Sequence, residues 1–116
     1  MTYVDGFVLA VPTANHEIYK KFAEDACAIF KEYGALKVVE CWGEDVPDGE
    51  LTSFPMAVKC GEDETVVFSW IVWPSRSARD EGNKKAMSDP HMQKMKEMPF
   101  DGKRMIFGGF ETMVDL

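Results

Sequence analysis

Four polar side chains interrupt segments that are otherwise apolar: Asp5, Glu40, Ser69 and Arg104. Each falls in a run whose alternation is that of a β-strand, so each is expected in or beside a packed face. Buried polar groups need partners, and Arg104 is a natural cation for Asp5 or Glu40. Such a pair admits two readings. A carboxylate held against a desolvated aromatic wall has a raised pKa and can act as a general base. Alternatively, the pair does no more than fix strand register. His91, directly after Asp89-Pro90, is a further candidate base at a pocket mouth, or else a solvated loop histidine. Trp42, Phe68, Ser69, Trp70, Trp73 and Phe107 would line an apolar pocket for a flat organic molecule, or would instead fill a core and a subunit contact.

The element that must hold these groups is the run TVVFSWIVW at residues 65–73. Its two parities, Val66, Phe68, Trp70, Val72 and Val67, Ser69, Ile71, Trp73, are both apolar, so it reads as an interior strand covered twice. Residues 3–11 read the same way apart from Asp5. From 14 to 33 the period becomes helical, with Ile18, Phe22, Ala26, Ile29, Phe30 and Tyr33 on one stripe. Thr13 or Asn15 is the expected cap at its start and Gly34 the left-handed residue after its end. A strand follows at 36–42, then a polar connection. Ser53 and Pro55 suit a short helix before the loop at 61–64, although Val58 to Cys60 could equally begin an extended segment.

After Pro74, Ser75 or Ser77 can cap a second helix, and Ser77 with Asp80 has capping-box spacing. Ala78, Gly82, Ala86 and Met87 form a stripe of mostly small residues that would let this helix sit close to the sheet. A further helical turn is expected over 91–97, and Asp101 in the next turn would cap it or pair with Lys103 or Arg104. The final strand is expected over 103–112, with Gly108-Gly109 marking a bulge or a close approach. The order is strand, helix, strand, strand, helix, strand. That is a ferredoxin-like α+β arrangement, βαββαβ, with an antiparallel sheet and strands one and three in the middle. A sheet apolar on both faces asks for cover on its second side, and a second copy of the chain is the expected partner.

Length supports one domain over residues 1–116, with a hydrophobic fraction of 46% and a formal charge of −7. That charge, without a basic stripe, argues against nucleic acid and anionic membranes as partners. Neither a secretory signal nor a spanning segment is visible. Cys27, Cys41 and Cys60 lack metal-ligand or disulfide spacing and read as packed thiols in a reducing cytoplasm. Phosphate-loop, dinucleotide and nucleophile-elbow motifs are missing from the sequence, and neither a cofactor nor a metal is expected.

Four separated segments carry a resemblance: YVDGFV from Tyr3, VVECWGEDVPDG from Val38, VVFSWI from Val66 and MPFDGKRMIFGGF from Met98. Across residues 2–113 the chain resembles a family known as domain of unknown function 1428, small bacterial YbaA-like proteins. The resemblance implies a dimeric α+β barrel, two ferredoxin-like subunits packed sheet to sheet, and implies no activity. Two positions depart from the family pattern: Val72, where glutamate is common, and His91, where arginine is common. The second weighs against a mechanism centred on His91.

Three functional classes remain open at this level. The protein is a homodimer binding a small apolar molecule between sheet and helices; a cofactor-independent monooxygenase or isomerase of a small aromatic compound; or a stress-related module whose dimer serves a protein partner. Analogy of fold does not choose among them.

Overall fold

A computed structural model describes residues 1–95 and 97–116. Strand β1 (Tyr3–Pro12) leads through a 3-10 turn (Thr13–Asn15) into helix α1 (His16–Glu32), then strand β2 (Lys37–Trp42). Helix α2 (Phe54–Ala57), strand β3 (Glu64–Trp73), helices α3 (Arg76–Ser88) and α4 (Pro90–Lys94), a second 3-10 turn (Gly102–Arg104) and strand β4 (Ile106–Glu111) follow. The four strands form one antiparallel sheet in the order β2-β3-β1-β4. The two strands without a polar side are therefore the interior ones, as their sequences require.

Register separates the faces. Asp5, Phe7, Leu9 and Val11 of β1 lie with Ile71, Ser69, Val67 and Thr65 of β3. Val38, Glu40 and Trp42 of β2 complete that face, which α1 and α3 cover. Leu9, Val11, Val67 and Trp73 are almost wholly buried there. Full burial of such side chains contributes roughly 1.5–3 kcal/mol each, which makes this face the main core. Opposite, Val8, Ala10 and Val66 pack under Val58 and Cys60 next to α2. The rest of that face is open: Phe68 is 42% exposed, Ile106 45% and Phe110 62%.

Local chemistry accounts for the helix ends. Ser53 caps α2 through Met56 N–H, with Pro55 in the first turn. Ser75 caps α3 by accepting from Ala78 N–H at 3.0 Å. Ser77 forms no capping box, because Asp80 turns to Arg79 and Arg76 instead. Thr13 and Asn15 do not cap α1 either: the Thr13 hydroxyl meets that of Thr65, and Asn15 donates to the Pro99 carbonyl. Gly34 follows α1 with φ of +110°, the left-handed value expected of it.

The buried side of α1 is rotated by about one residue from the expected stripe. Tyr19, Ala23 and Ile29 are buried, whereas Ile18 is 61% exposed. Tyr19 wins because its ring packs on the core while its hydroxyl reaches a polar partner. The last strand is shorter than expected because Asp101 holds residues 102–104 in a turn, accepting from Lys103 N–H. Gly108-Gly109 makes no bulge, since pairing with β1 runs through both. A Cβ on Gly109 would collide with Arg79 and with the Tyr3 ring, so the close approach there is by side chains. Helix α4 covers part of the turn expected over 91–97, and residue 96 lies outside the described residues.

Candidate functional site

Helix α1 and edge strand β2 do not close on each other. Between them runs a cleft of about 790 Å³, large enough for a drug-sized organic molecule. Its helix side presents His16, Tyr19, Ala23 and Cys27, and its strand side presents Leu36, Val38, Glu40 and Trp42. Small residues on the helix, Ala23 and Ala28, leave the space that larger ones would fill. The His16 and Trp42 rings meet edge to face at 4.5 Å at one end. Lys31 donates to the Leu36 carbonyl at 2.9 Å at the other.

The polar centre of the cleft is a pair. Tyr19 Oη donates to Glu40 Oε1 at 2.6 Å. Burial raises the Glu40 carboxyl above its ordinary value, opposed by the bond from Tyr19. Surrounding protein atoms account for that rise, although Glu40 stays solvent-exposed on edge strand β2, at the open cleft. Tyr19 is held far above the usual phenol range, by burial first and then by the Glu40 charge, so it stays a donor. Burial, then the charges of Glu40 and Glu24, pushes the Cys27 thiol up to about 11. The cleft therefore offers an apolar trough with one carboxylate, one phenol and an unreactive thiol.

Of the residues singled out in the sequence, Glu40 and Trp42 line this cleft. Ser69 neighbours Glu40 across the strands but is buried beneath it. Asp5 lies elsewhere, accepting from Trp73 Nε1 at 3.0 Å, Arg79 Nε at 2.9 Å and Asn83 Nδ2 at 3.3 Å. The expected pairing of Arg104 with Asp5 or Glu40 is thus corrected. Arg104 grips Glu64 through both guanidinium nitrogens, at 2.8 and 2.6 Å, and Asp101 at 3.0 Å. Arg104 holds the Glu64 carboxyl down at about 2. That fork closes the turn before β3 onto the turn before β4.

The aromatic pocket is corrected as well. Trp73 is fully buried beside Phe30, with Trp70 and Phe68 on the opposite, open face. Phe68 borders a second hollow of about 190 Å³ with Phe54 and Val46. Phe107 stacks near Phe7 at the far edge, 72% exposed. His91 borders a shallow groove with Asp25 and Glu32, away from Glu40. Sequence reading missed Tyr19, Arg79 and Glu64, the partners that decide each polar group. The signal for Tyr19 was present: Tyr19, Ala23 and Ala26 form a helical stripe as regular as the one through Ile18.

Among the described residues no group of His, Cys, Asp and Glu could hold a metal, and no helix is long and apolar enough to cross a membrane. In fold, the chain is similar to SnoaB from Streptomyces nogalater, a cofactor-independent oxygenase solved as a mutant, at TM-score 0.55 and 17% identity, covering 99% of this chain and 94% of that one. It is also similar to Rv0793 from Mycobacterium tuberculosis, at TM-score 0.55 and 12% identity, covering 99% and 98%. These likenesses fit the ferredoxin-like α+β fold. Much nearer in sequence is the uncharacterized protein YbaA of Escherichia coli, 59% identical over 116 residues and covering 99% of each chain. YbaA of Shigella flexneri matches at the same 59% over the same 99%. With a family model matching residues 2–102 as well, this chain belongs to the family described as protein of unknown function DUF1428.

Proposed function

We propose that this protein is a homodimer of a reducing cytoplasm that binds a small, largely apolar organic molecule in the cleft between α1 and β2. The observation that carries the binding reading is the trough itself. Ala23, Val38, Trp42 and Val67 wall a space in which the Tyr19–Glu40 pair supplies fixed polar contacts. Apolar walls with few placed polar groups are the usual makeup of small-molecule sites. Self-association is supported by Phe68, Ile106 and Phe110, large apolar side chains exposed together on the sheet face away from the helices. Native mass spectrometry of protein taken from cells tests the binding reading: a discrete added mass, lost in Ala23→Trp, supports it. Bare protein under gentle conditions, with no organic probe binding by calorimetry, sinks it. Sedimentation tests the dimer: Phe68→Asp should raise the dissociation constant at least a hundredfold, and an unchanged dimer refutes the assignment of that face.

A second reading has one specific observation in its favour. Glu40 carries a raised carboxyl pKa in an apolar wall, as a base for an activated hydroxyarene would, and SnoaB, of like fold, is a cofactor-independent oxygenase. Here Glu40 would take the hydroxyl proton and dioxygen would add to a ring carbon of the resulting anion; the peroxide O–O bond then breaks, one oxygen staying as a quinone carbonyl and the other leaving as water with the hydrogen of that carbon and the proton held by Glu40. An oxygen electrode discriminates the two readings: uptake with small hydroxyarenes that falls in Glu40→Gln supports catalysis, and no uptake leaves binding as the function.

A further inference from the structure

Edge strand β2 has one side that pairs with β3 and one side with no strand beside it. In an antiparallel ladder the main-chain groups of successive residues turn to opposite neighbours. Gly43 N–H donates to the Val66 carbonyl at 2.8 Å, in the same register that sets Cys41 against Phe68 and Val39 against Trp70. Val39 and Cys41 therefore turn their N–H and C=O groups to β3, and Val38, Glu40 and Trp42 turn theirs outward. The next ladder agrees: Thr13 N–H donates to the Asp63 carbonyl at 2.9 Å, so odd-numbered residues of β3 serve β1 and even-numbered ones, Phe68 and Trp70 among them, serve β2. Leu36 N–H, shifted by one to the Val72 carbonyl, marks a bulge that ends the regular ladder before Val38. Among the described residues nothing bonds the outward main-chain groups of Val38 and Glu40. Side chains alternate with the same period, so Val38, Glu40 and Trp42 are also the residues of β2 that face α1 and wall the cleft.

Unpaired main chain along an apolar trough is what strand addition uses: ladder hydrogen bonds hold a peptide's backbone, and the trough holds its alternate side chains. The six residues of β2 include no proline to blunt such an edge. We infer, resting on the binding function proposed above, that the ligand of the cleft is a short extended peptide, added antiparallel to β2 as a fifth strand, with apolar side chains against Val38 and Trp42 and a basic one against Glu40. Charge selects the basic residue. Glu40 is the one charged side chain that β2 turns towards α1, its Oε1 accepts from Tyr19, and its second oxygen remains to accept from a cation. On the helix side Lys20 and Glu24 offset each other, Lys31 is held by the Leu36 carbonyl, and the chain as a whole carries −7. Register then fixes the pattern: the first, third and fifth peptide residues lie opposite Trp42, Glu40 and Val38, and the second and fourth turn away from α1.

The probe is the blocked peptide acetyl-Leu-Thr-Lys-Thr-Val-amide, titrated into the full-length protein by calorimetry. Two backbone-methylated forms isolate the ladder. A methyl on the main-chain nitrogen of the lysine removes a donor aimed at β2 and should weaken binding about tenfold or more, whereas a methyl on that of the second threonine points away and should cost less than about threefold. Exchanging the peptide's lysine for glutamate should also weaken binding, by a factor that shrinks with added salt and in Glu40→Gln. Amide hydrogen exchange followed by NMR gives an independent readout: Val38 and Glu40 N–H should exchange rapidly in the free protein and be protected by the peptide, with Val39 and Cys41 protected throughout. Equal affinity of the two methylated forms overturns strand addition. Val38 and Glu40 amides already protected before peptide is added show the edge taken by a second copy, which overturns the peptide assignment. Failure of every peptide to bind overturns the ligand class, and the binding reading falls with it only if native mass spectrometry also finds bare protein.

Discussion

Replacing Gly82 with alanine sets two effects of opposite sign against each other. In the middle of an exposed helix, alanine in place of glycine stabilises by about 1 kcal/mol. Gly82 is not such a position. It is buried on α3, and a Cβ there would overlap the Trp73 ring, lying 2.6 Å from Cη2, and would stand 2.9 Å from the Tyr33 carbonyl oxygen. Carbon atoms in ordinary contact sit about 3.5–4.0 Å apart, so something must move by about 1 Å. Trp73 cannot yield cheaply: it is fully buried, its Nε1 is bound to Asp5, and Phe30 packs edge-on against it. Tyr33 ends α1, and its N–H is tied into the last turn. Overpacking of this kind costs about 1–3 kcal/mol, and two rigid neighbours put it at the upper end. The net expectation for Gly82→Ala is therefore a loss of about 2 kcal/mol, or a fall in melting temperature of roughly 8 °C for a chain of this size. Thermal melts followed by circular dichroism at fixed protein concentration measure it. In a Trp73→Phe background the same substitution should become nearly neutral or stabilising, because the ring it strikes is smaller. A melting temperature unchanged or raised by Gly82→Ala in the parent chain would refute the close packing of α3 on the sheet.

Other perturbations read other parts of the structure. Asp5→Ala strands Arg79 and the Trp73 N–H in a buried setting and should cost about 3–5 kcal/mol in urea unfolding; a loss below 1 kcal/mol would contradict the network. Glu64 has a folded-state pKa of about 2 against an ordinary 4.5, so its contribution is complete above about pH 5 and is lost as the pH falls towards 2. Allowing for solvent screening at the end of β3, that contribution is about 1–2 kcal/mol, and Glu64→Gln should flatten the acid limb of stability against pH. Cys27, pushed up to about 11, should alkylate roughly a hundredfold more slowly at pH 8.5 than an ordinary thiol, and Glu40→Gln should speed it. Labelling followed by peptide mass mapping decides that, and a rate at the free-thiol level would place Cys27 outside the cleft.

The topology was legible because two-sided apolarity is a property of single segments. Residues 3–11 and 65–73 each announce an interior strand without reference to any other part of the chain, and the sheet order follows. The short helix at Ser53 and the role of Asp101 were legible for the same reason: a cap and its N–H lie two or three residues apart. Glu40 and Trp42 were legible as polar and aromatic interruptions of β2. Their neighbours were not. Tyr19 meets Glu40 across 21 residues, Glu64 meets Arg104 across 40 and Asp5 meets Arg79 across 74, and nothing in composition or periodicity ties such positions together. The rotation of α1 by one residue had the same origin. Two stripes of nearly equal quality lay on that helix, and the choice fell to the polar partner that the sheet supplied to Tyr19.

The division of labour among the cations explains why Arg104 misled and where the cleft gains its charge. The chain has three arginines, Arg76, Arg79 and Arg104, and each is committed to a carboxylate. Arg104 and Arg79 do so as planar forks: one takes Glu64 with two nitrogens and adds the Lys59 carbonyl, the other takes Asp5 and Asp80 while lying 5.0 Å from the centre of the Tyr3 ring. A guanidinium locks geometry because its donors are fixed in a plane, which suits the joining of distant turns and helices. Lysine is a flexible point charge that remains hydrated, and it is lysines that border the cleft. A sheet that must hold its ends together is served by the fork. Exchanging the roles tests that account. Arg104→Lys should destabilise the fold although charge is kept, because one ammonium cannot bond Glu64, Asp101 and the Lys59 carbonyl in the same plane. Lys37→Arg should leave the melting temperature unchanged, since no partner at that position depends on the geometry of the group.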